Sequence, residues 1–242
     1  MAWQRSSDGR RARTRICFRR RRPTRCTRLA IIPVWRTTLK VWTYVITVDA
    51  GAAPNFEHGL TTLTVCKPRI RKAAVRGDLV LAFNSSKLNP DEPHSVRWAG
   101  LVTEVISLED YWADERFAGK KPGKSLKPDN IYKPTRTGEL KQVSNTTHGP
   151  QDYARDVNGE NALVLSPTWY FGPEVAILPA SFNLRMIGGR RGHRGTPITE
   201  RTWSNLERWL NHNVPTSSML RSFSARASRC SPRHSNNIAC AD

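Results

Sequence analysis

The sequence predicts an α+β domain, mostly β, shaped as a small open or closed barrel with a few flanking helices. Three observations lead there. Segments rich in β-branched and aromatic residues outnumber helical ones. No strand–helix–strand alternation recurs, which argues against a doubly wound sheet. The 242 residues are enough for one substantial core and short for two.

Taken in order, TLKVWTYVITVD (38–49) alternates and carries Val, Ile, Thr, Tyr and Trp, the pattern of a strand. AGAAPNFEHG is a loop punctuated by Gly and Pro, and LTTLTVC (60–66) is a second short strand or the approach to a helix. PRIRKAAVR then reads as a helix, with Pro68 in its first turn and Gly77 at its stop. Ile70, Ala73 and Ala74 would face the core, and Arg69, Lys72 and Arg76 would share an outer cationic stripe. LVLAF (79–83) is too apolar for a one-sided strand and should be buried. SVRWAGLVTEVISLEDYW begins as a strand and runs into an acidic helical stretch, whereas residues 113–161 hold little apolar periodicity. ALVLSPTWYFG is a further strand. GGRRGHRG (188–195) is a basic, glycine-rich loop, and Trp203, Leu206, Trp209 and Leu210 mark one face of a closing helix that starts near Thr199.

The formal charge is +19, but eleven of those charges lie in residues 1–36 and three in residues 215–242. The expected organisation is a disordered Arg-rich extension over 1–37, a single domain over 38–214 and a disordered Ser/Arg-rich tail over 215–242. Such a balance suits a polyanionic partner, nucleic acid or nucleotide. No segment reaches the roughly 18 apolar residues of a membrane span, so no membrane partner is expected. Five cysteines (Cys17, Cys26, Cys66, Cys230, Cys240) form an odd set without C-x-x-C spacing, and a reducing cytoplasm is the expected compartment.

The residue types suited to chemistry sit in loops. His58, His148 and His193 each adjoin a glycine and can move a proton or bond a base edge. Asp49 and Asp129 are the leading carboxylates, so the catalytic candidates are His58, Asp49, His148 and Asp129. Asn55, Asn130 and Asn145 can both donate and accept, as reading a nucleobase requires. Tyr132 can stack on a base, while Trp98 on its strand is better explained by core packing. Lys67, Arg69, Lys72, Arg191 and His193 supply phosphate contacts. Cys66 is either a nucleophile or a small buried thiol. No H-x-x-x-H or H-E-x-x-H appears, so no metal set is assigned; no P-loop or G-x-G-x-x-G follows a strand, which argues against nucleotide hydrolysis by those routes, and the cofactor is left unknown.

The series YVITVDAGAAPNFEHGLTTLTVCKPRIRKAAVRGDLVLAF, VRWAGLVTEVIS, DNIYKP, VSNTTHG, VLSPTWYFGPEVAILP and GRRGHR resembles the nucleotide modification associated domain 2 family, a prokaryotic and phage family linked to DNA modification. The match spans about Lys40 to Asn211. It implies function for Asp49, Asn55, His58 and Gly59; for Cys66, Lys67, Pro68 and Arg69; for Asp129, Asn130 and Tyr132; for Asn145 and His148; for Tyr170, Phe171 and Gly172; and for Arg191, Gly192 and His193. A looser similarity to PUA-like barrels, which include base-reading modules, rests on Gly-Asp preceding an apolar strand. Three functions stay open: a module binding a modified or flipped nucleobase in a polar pocket with basic phosphate contacts, an enzyme of nucleotide or DNA-base modification using His/Asp acid–base chemistry, and a structural or regulatory domain with non-specific basic tails.

Overall fold

The structure is a computed structural model that describes residues 39–184 and 192–215. The expected extension over 1–37, Arg191 and nearly all of the expected tail over 215–242 lie outside the described residues. Eight strands are seen: β1 (Leu39–Ile46), β2 (Thr61–Leu63), β3 (Leu79–Asn84), β4 (Val96–Ser107), β5 (Tyr132–Pro134), β6 (Leu140–Gln142), β7 (Asn161–Tyr170) and β8 (His193–Ile198). Four α-helices accompany them: α1 (Pro68–Ala73), α2 (Leu108–Ala113), α3 (Tyr153–Val157) and α4 (Glu200–Asn213). None of these helices is long and apolar enough to cross a membrane.

Six strands form one mixed sheet in the order β2-β7-β4-β3-β1-β8, and β5 with β6 forms a separate hairpin. The mostly β reading is correct. The named strands make an open sheet, and no closed barrel is seen among the described residues. One parallel pair, β1 with β3, is set within otherwise antiparallel neighbours. Its long crossover carries β2 and α1.

The uninterrupted burial of β3 follows from the two-residue period of a strand. Leu79, Leu81 and Phe83 enter one core with Val41, Trp169, Leu206 and Leu210, beneath α4. Val80 and Ala82 enter the other with Tyr44, Trp98, Leu163 and Ile70, beneath α1. A strand covered on both faces has no polar face to display, which is why LVLAF lacks alternation. Trp98 is a core residue, wholly buried, with Nε1 donating to Tyr44 OH at 3.0 Å. A third apolar cluster joins α2 and the β5–β6 hairpin to β7 through Tyr111, Phe117, Ile131, Tyr132 and Val164. It holds the long polar region against the sheet.

Of the basic Gly-rich stretch 188–195, residues 188–191 lie outside the described residues, and the remainder departs from its expected form. His193–Ile198 is an edge strand paired antiparallel with β1, from Tyr44↔His193 to Leu39↔Ile198. Its ladder bonds are main-chain; Gly195 lets the strand pass the Trp42 ring, from which a Cβ there would lie 2.8 Å, and Pro197, which has no N–H to donate, is tolerated because the strand is at an edge.

Candidate active site

Between β2 and α1 the chain turns through two consecutive left-handed residues, Cys66 at φ 58° and Lys67 at φ 43°. Neither is glycine, so this conformation costs energy that neighbouring contacts must offset. Those contacts are present. The Cys66 N–H donates to Asp156 Oδ1 at 2.8 Å, and its carbonyl accepts from Arg71 Nε at 2.8 Å. The Cys66 side chain therefore projects from a turn whose main chain is fixed on both sides.

Arg71 supplies much of that rigidity. Helical periodicity places Ala73 inward; the structure exposes Ala73 and wholly buries Arg71 instead. The reason is hydrogen-bond demand under a helix of only six residues. The guanidinium donates to the carbonyls of Cys66, Asn161 (2.7 Å) and Asp156, and so ties the turn to the start of β7 and to α3. Burial lowers its pKa to about 10, which still leaves it cationic at neutral pH. Gly159 permits the approach, because a Cβ there would lie 2.3 Å from Arg71 Cζ. Arg71→Lys keeps the charge but cannot fork to three carbonyls. It should cost about 2–4 kcal/mol of stability, measurable as a lower urea midpoint, and should loosen the Cys66 turn.

Against this turn stands His148. Its Nε2 lies 3.4 Å from Cys66 Sγ, and its Nδ1 is hydrogen-bonded to Asp156 Oδ2. Asp156 is fully buried and accepts a further bond from Tyr132 OH at 2.8 Å. Asn145 aims the imidazole from behind: its Oδ1 accepts from the N–H groups of Thr147 and His148, both at 2.8 Å, and Gln142 Nε2 donates to the His148 carbonyl at 2.8 Å. The result is a cysteine, an imidazole and a carboxylate in series. Burial disfavours the charged imidazole, but the hydrogen bonds to Asp156 and Cys66 and their charges outweigh it and lift the His148 pKa to about 10. Burial likewise opposes ionisation of Asp156, and its bonds to His148, the Cys66 N–H and Tyr132 prevail and hold it below the usual carboxylate range.

The donor atoms of Cys66, His148 and Asp156 lie within 4.8 Å of one another, a spacing compatible with a shared ion. Here, however, both ring nitrogens are already engaged, on opposite sides, by the thiol and the carboxylate. That wiring suits a nucleophile with its base and orienting group better than a chelate.

A cavity of about 400 Å³ opens beside Cys66, and its wall includes Lys67, Arg69, Arg155, Gly192 and His193. Arg155 Nη2 is 3.9 Å from Cys66 Sγ and 2.9 Å from Asp152. Burial and the neighbouring Arg69 and Lys67 charges lower the pKa of His193, a mark of positive potential here. Lys67 also sits over the Tyr44 ring, 4.2 Å from its centroid.

The sequence-predicted residues thus divide. His148, Asn145, Tyr132, Lys67, Arg69 and His193 gather around Cys66. Tyr132 is buried and bonds Asp156, so its contribution is a hydrogen bond and no stacking face is displayed. Lys72 is on the exposed side of α1 in an ion pair with Glu160. Asn55, Asp129 and Asn130 belong to a separate buried network. Asp129 accepts from Thr62 (2.6 Å) and Tyr111 (2.9 Å), Lys120 Nζ donates to Asn55 Oδ1 (2.7 Å), and Asn130 Nδ2 donates to the Tyr111 carbonyl (3.0 Å). Burial pushes Asp129 up and Lys120 down to about 8. Asp49 bonds Arg97 and Tyr170, each at 2.7 Å, and His58 lies in an exposed turn next to Glu57. Two groups are absent from the sequence candidates, Arg155 and Asp156: in YARDV neither carries a local signature, and only the fold brings them to Cys66 and His148.

A family model described as nucleotide modification associated domain 2 matches residues 38–227. Comparisons with curated proteins and with solved structures find no significant match. The match covers most of the chain, including every residue of the Cys66 site, and the protein belongs to the nucleotide modification associated domain 2 family.

Proposed function

We propose that the protein is a cysteine-dependent enzyme of nucleotide or nucleic-acid base modification. The Cys66–His148–Asp156 series carries the reading. In the proposed cycle the thiol proton rests on His148, and Cys66 Sγ adds to an acyl carbon on the base or on its modifying group. His148 returns the proton to the departing amine or alcohol, leaving a thioester on Cys66. A second nucleophile then gives its proton to His148 as it displaces the sulfur, and the thiol is restored. Asp156 fixes the imidazole's orientation and stabilises its charged form.

Lys67, Arg69 and Arg155, with His193, favour an anionic substrate at the mouth of the same cavity. The family's description supports a nucleotide as that substrate, with its phosphates on these cations. The volume of about 400 Å³ accommodates a single nucleotide or one base turned out of a strand. The test is a panel of nucleotides and oligonucleotides bearing amide- or ester-substituted bases, read by product mass. Conversion of at least one of them is expected. Salt-sensitive binding without conversion would overturn the enzymatic reading in favour of a base-binding module.

A further inference from the structure

His148 also lines a second cavity of about 500 Å³, whose wall runs through residues 142–145 and 148–150 to Tyr153. Among the described residues the two cavities share no wall residue; Cys66 lines one and His148 the other, with Sγ and Nε2 3.4 Å apart. Their chemistry differs. The Cys66 cavity has three cationic side chains in its wall, whereas the second has, among the described residues, no charged side chain other than His148 itself.

The polar groups of the second cavity are largely committed. Asn145 Oδ1 accepts two main-chain N–H groups, Gln142 Nε2 donates to the carbonyl of His148, and Tyr153 OH donates to the carbonyl of Leu140. What remains to face a ligand, besides His148, is the Tyr153 ring, Val143, Pro150 and the Ser144 side chain, an uncharged and partly apolar lining. Hydrolysis of a thioester needs a single water, about 30 Å³ in the liquid. A chamber more than tenfold larger, reached by the base, suits an organic acceptor.

We infer that the second cavity seats the acceptor that resolves the Cys66 thioester, and that this acceptor is a primary amine with no anionic group, which attacks as its free base, making the enzyme a transferase. The inference rests on the nucleophile reading above. The amine nitrogen attacks the thioester carbon, its proton passes to His148 Nε2, the C–S bond breaks, and the proton returns to sulfur. One amide and the free thiol result, with no other reactant. His148 is the only cation this wall offers an anionic acceptor among the described residues, and it must be neutral to take the acceptor's proton; a thioester also reacts much faster with amines than with alcohols.

The experiment uses the full chain with p-nitrophenyl acetate as acyl donor and benzylamine as acceptor. A nitrophenolate burst that is absent in Cys66→Ala reports acylation; its absence from the wild type would overturn the nucleophile reading and this inference with it. Given the burst, N-benzylacetamide should form with saturable dependence on benzylamine. Ser144→Trp, which narrows the cavity with an indole at an exposed wall position outside the proposed relay, should lower the amide-to-acetate ratio at least tenfold and leave the burst unchanged. Amide formation that is linear in benzylamine in the wild type, or a ratio unchanged by Ser144→Trp, overturns the acceptor site while the nucleophile stands.

Discussion

Cys66→Ala is expected to abolish conversion of the nucleotide substrate, with kcat falling at least about 10³-fold, while nucleotide binding changes less than about threefold. The separation follows from what the substitution removes. The cations that favour the substrate belong to Lys67, Arg69 and Arg155, and the Cys66 main-chain bonds to Asp156 and Arg71 do not involve the sulfur. Alanine inherits the same left-handed turn, so little stability should be lost. Calorimetry with a bound nucleotide and single-turnover kinetics measure the two halves of the prediction. Lost binding together with lost turnover would mean that the turn itself had collapsed.

The second large effect belongs to His148→Gln. Removing the base should cost about 10²–10⁴ in kcat. It should also change how stability depends on pH. The His148 pKa is raised from its ordinary 6.5 to about 10, so folding favours the protonated imidazole. That contribution is complete below about pH 6.5 and declines as pH rises towards 10. At roughly 1.4 kcal/mol per unit it amounts to a few kcal/mol, or about 10 °C in Tm for a domain of this size. The wild type should therefore lose thermal stability between pH 6.5 and 10, and His148→Gln should show a flatter profile there. The depressed Asp156 pKa expresses the same contact from its other side and adds no second share. Parallel profiles for the two proteins would show that the imidazole is not held as described.

Much of the architecture was legible because periodicity survives where packing is regular. β1, β3, β4 and β7 carry their β-branched runs, and α4 presents Leu206 and Leu210 inward beneath a Thr199 cap whose Oγ accepts from the Thr202 N–H at 3.2 Å. β8 was not legible, since its place depends on main-chain pairing with β1. The open sheet order was also out of reach, because the neighbours of a strand are set by long-range pairing.

The site was legible in its pieces. Cys66, His148 and Asn145 stand in motifs that the family resemblance selects, and the cations near Cys66 are visible in CKPRIR. Their assembly was not. Asp156 lies 90 positions from the Cys66 N–H that it accepts, in a stretch without apolar period, and nothing local marks it as a partner. Arg71 drew no role from the sequence, although its burial under α1 is what fixes the turn. Asp129 and Asn130 were expected at the site because both residue types suit hydrogen bonding to a base. In the fold they satisfy buried donors and acceptors between α2 and the β2 segment. Buried structural networks and catalytic groups draw on the same residue types, and only burial and partners separate them.

The reactivity of Cys66 towards iodoacetamide at pH 7, followed by peptide mapping to distinguish it from Cys17, Cys26, Cys230 and Cys240, tests the central claim most directly. A sulfur served by His148 should be alkylated at least tenfold faster in the wild type than in His148→Gln. Equal rates in the two proteins would contradict the account.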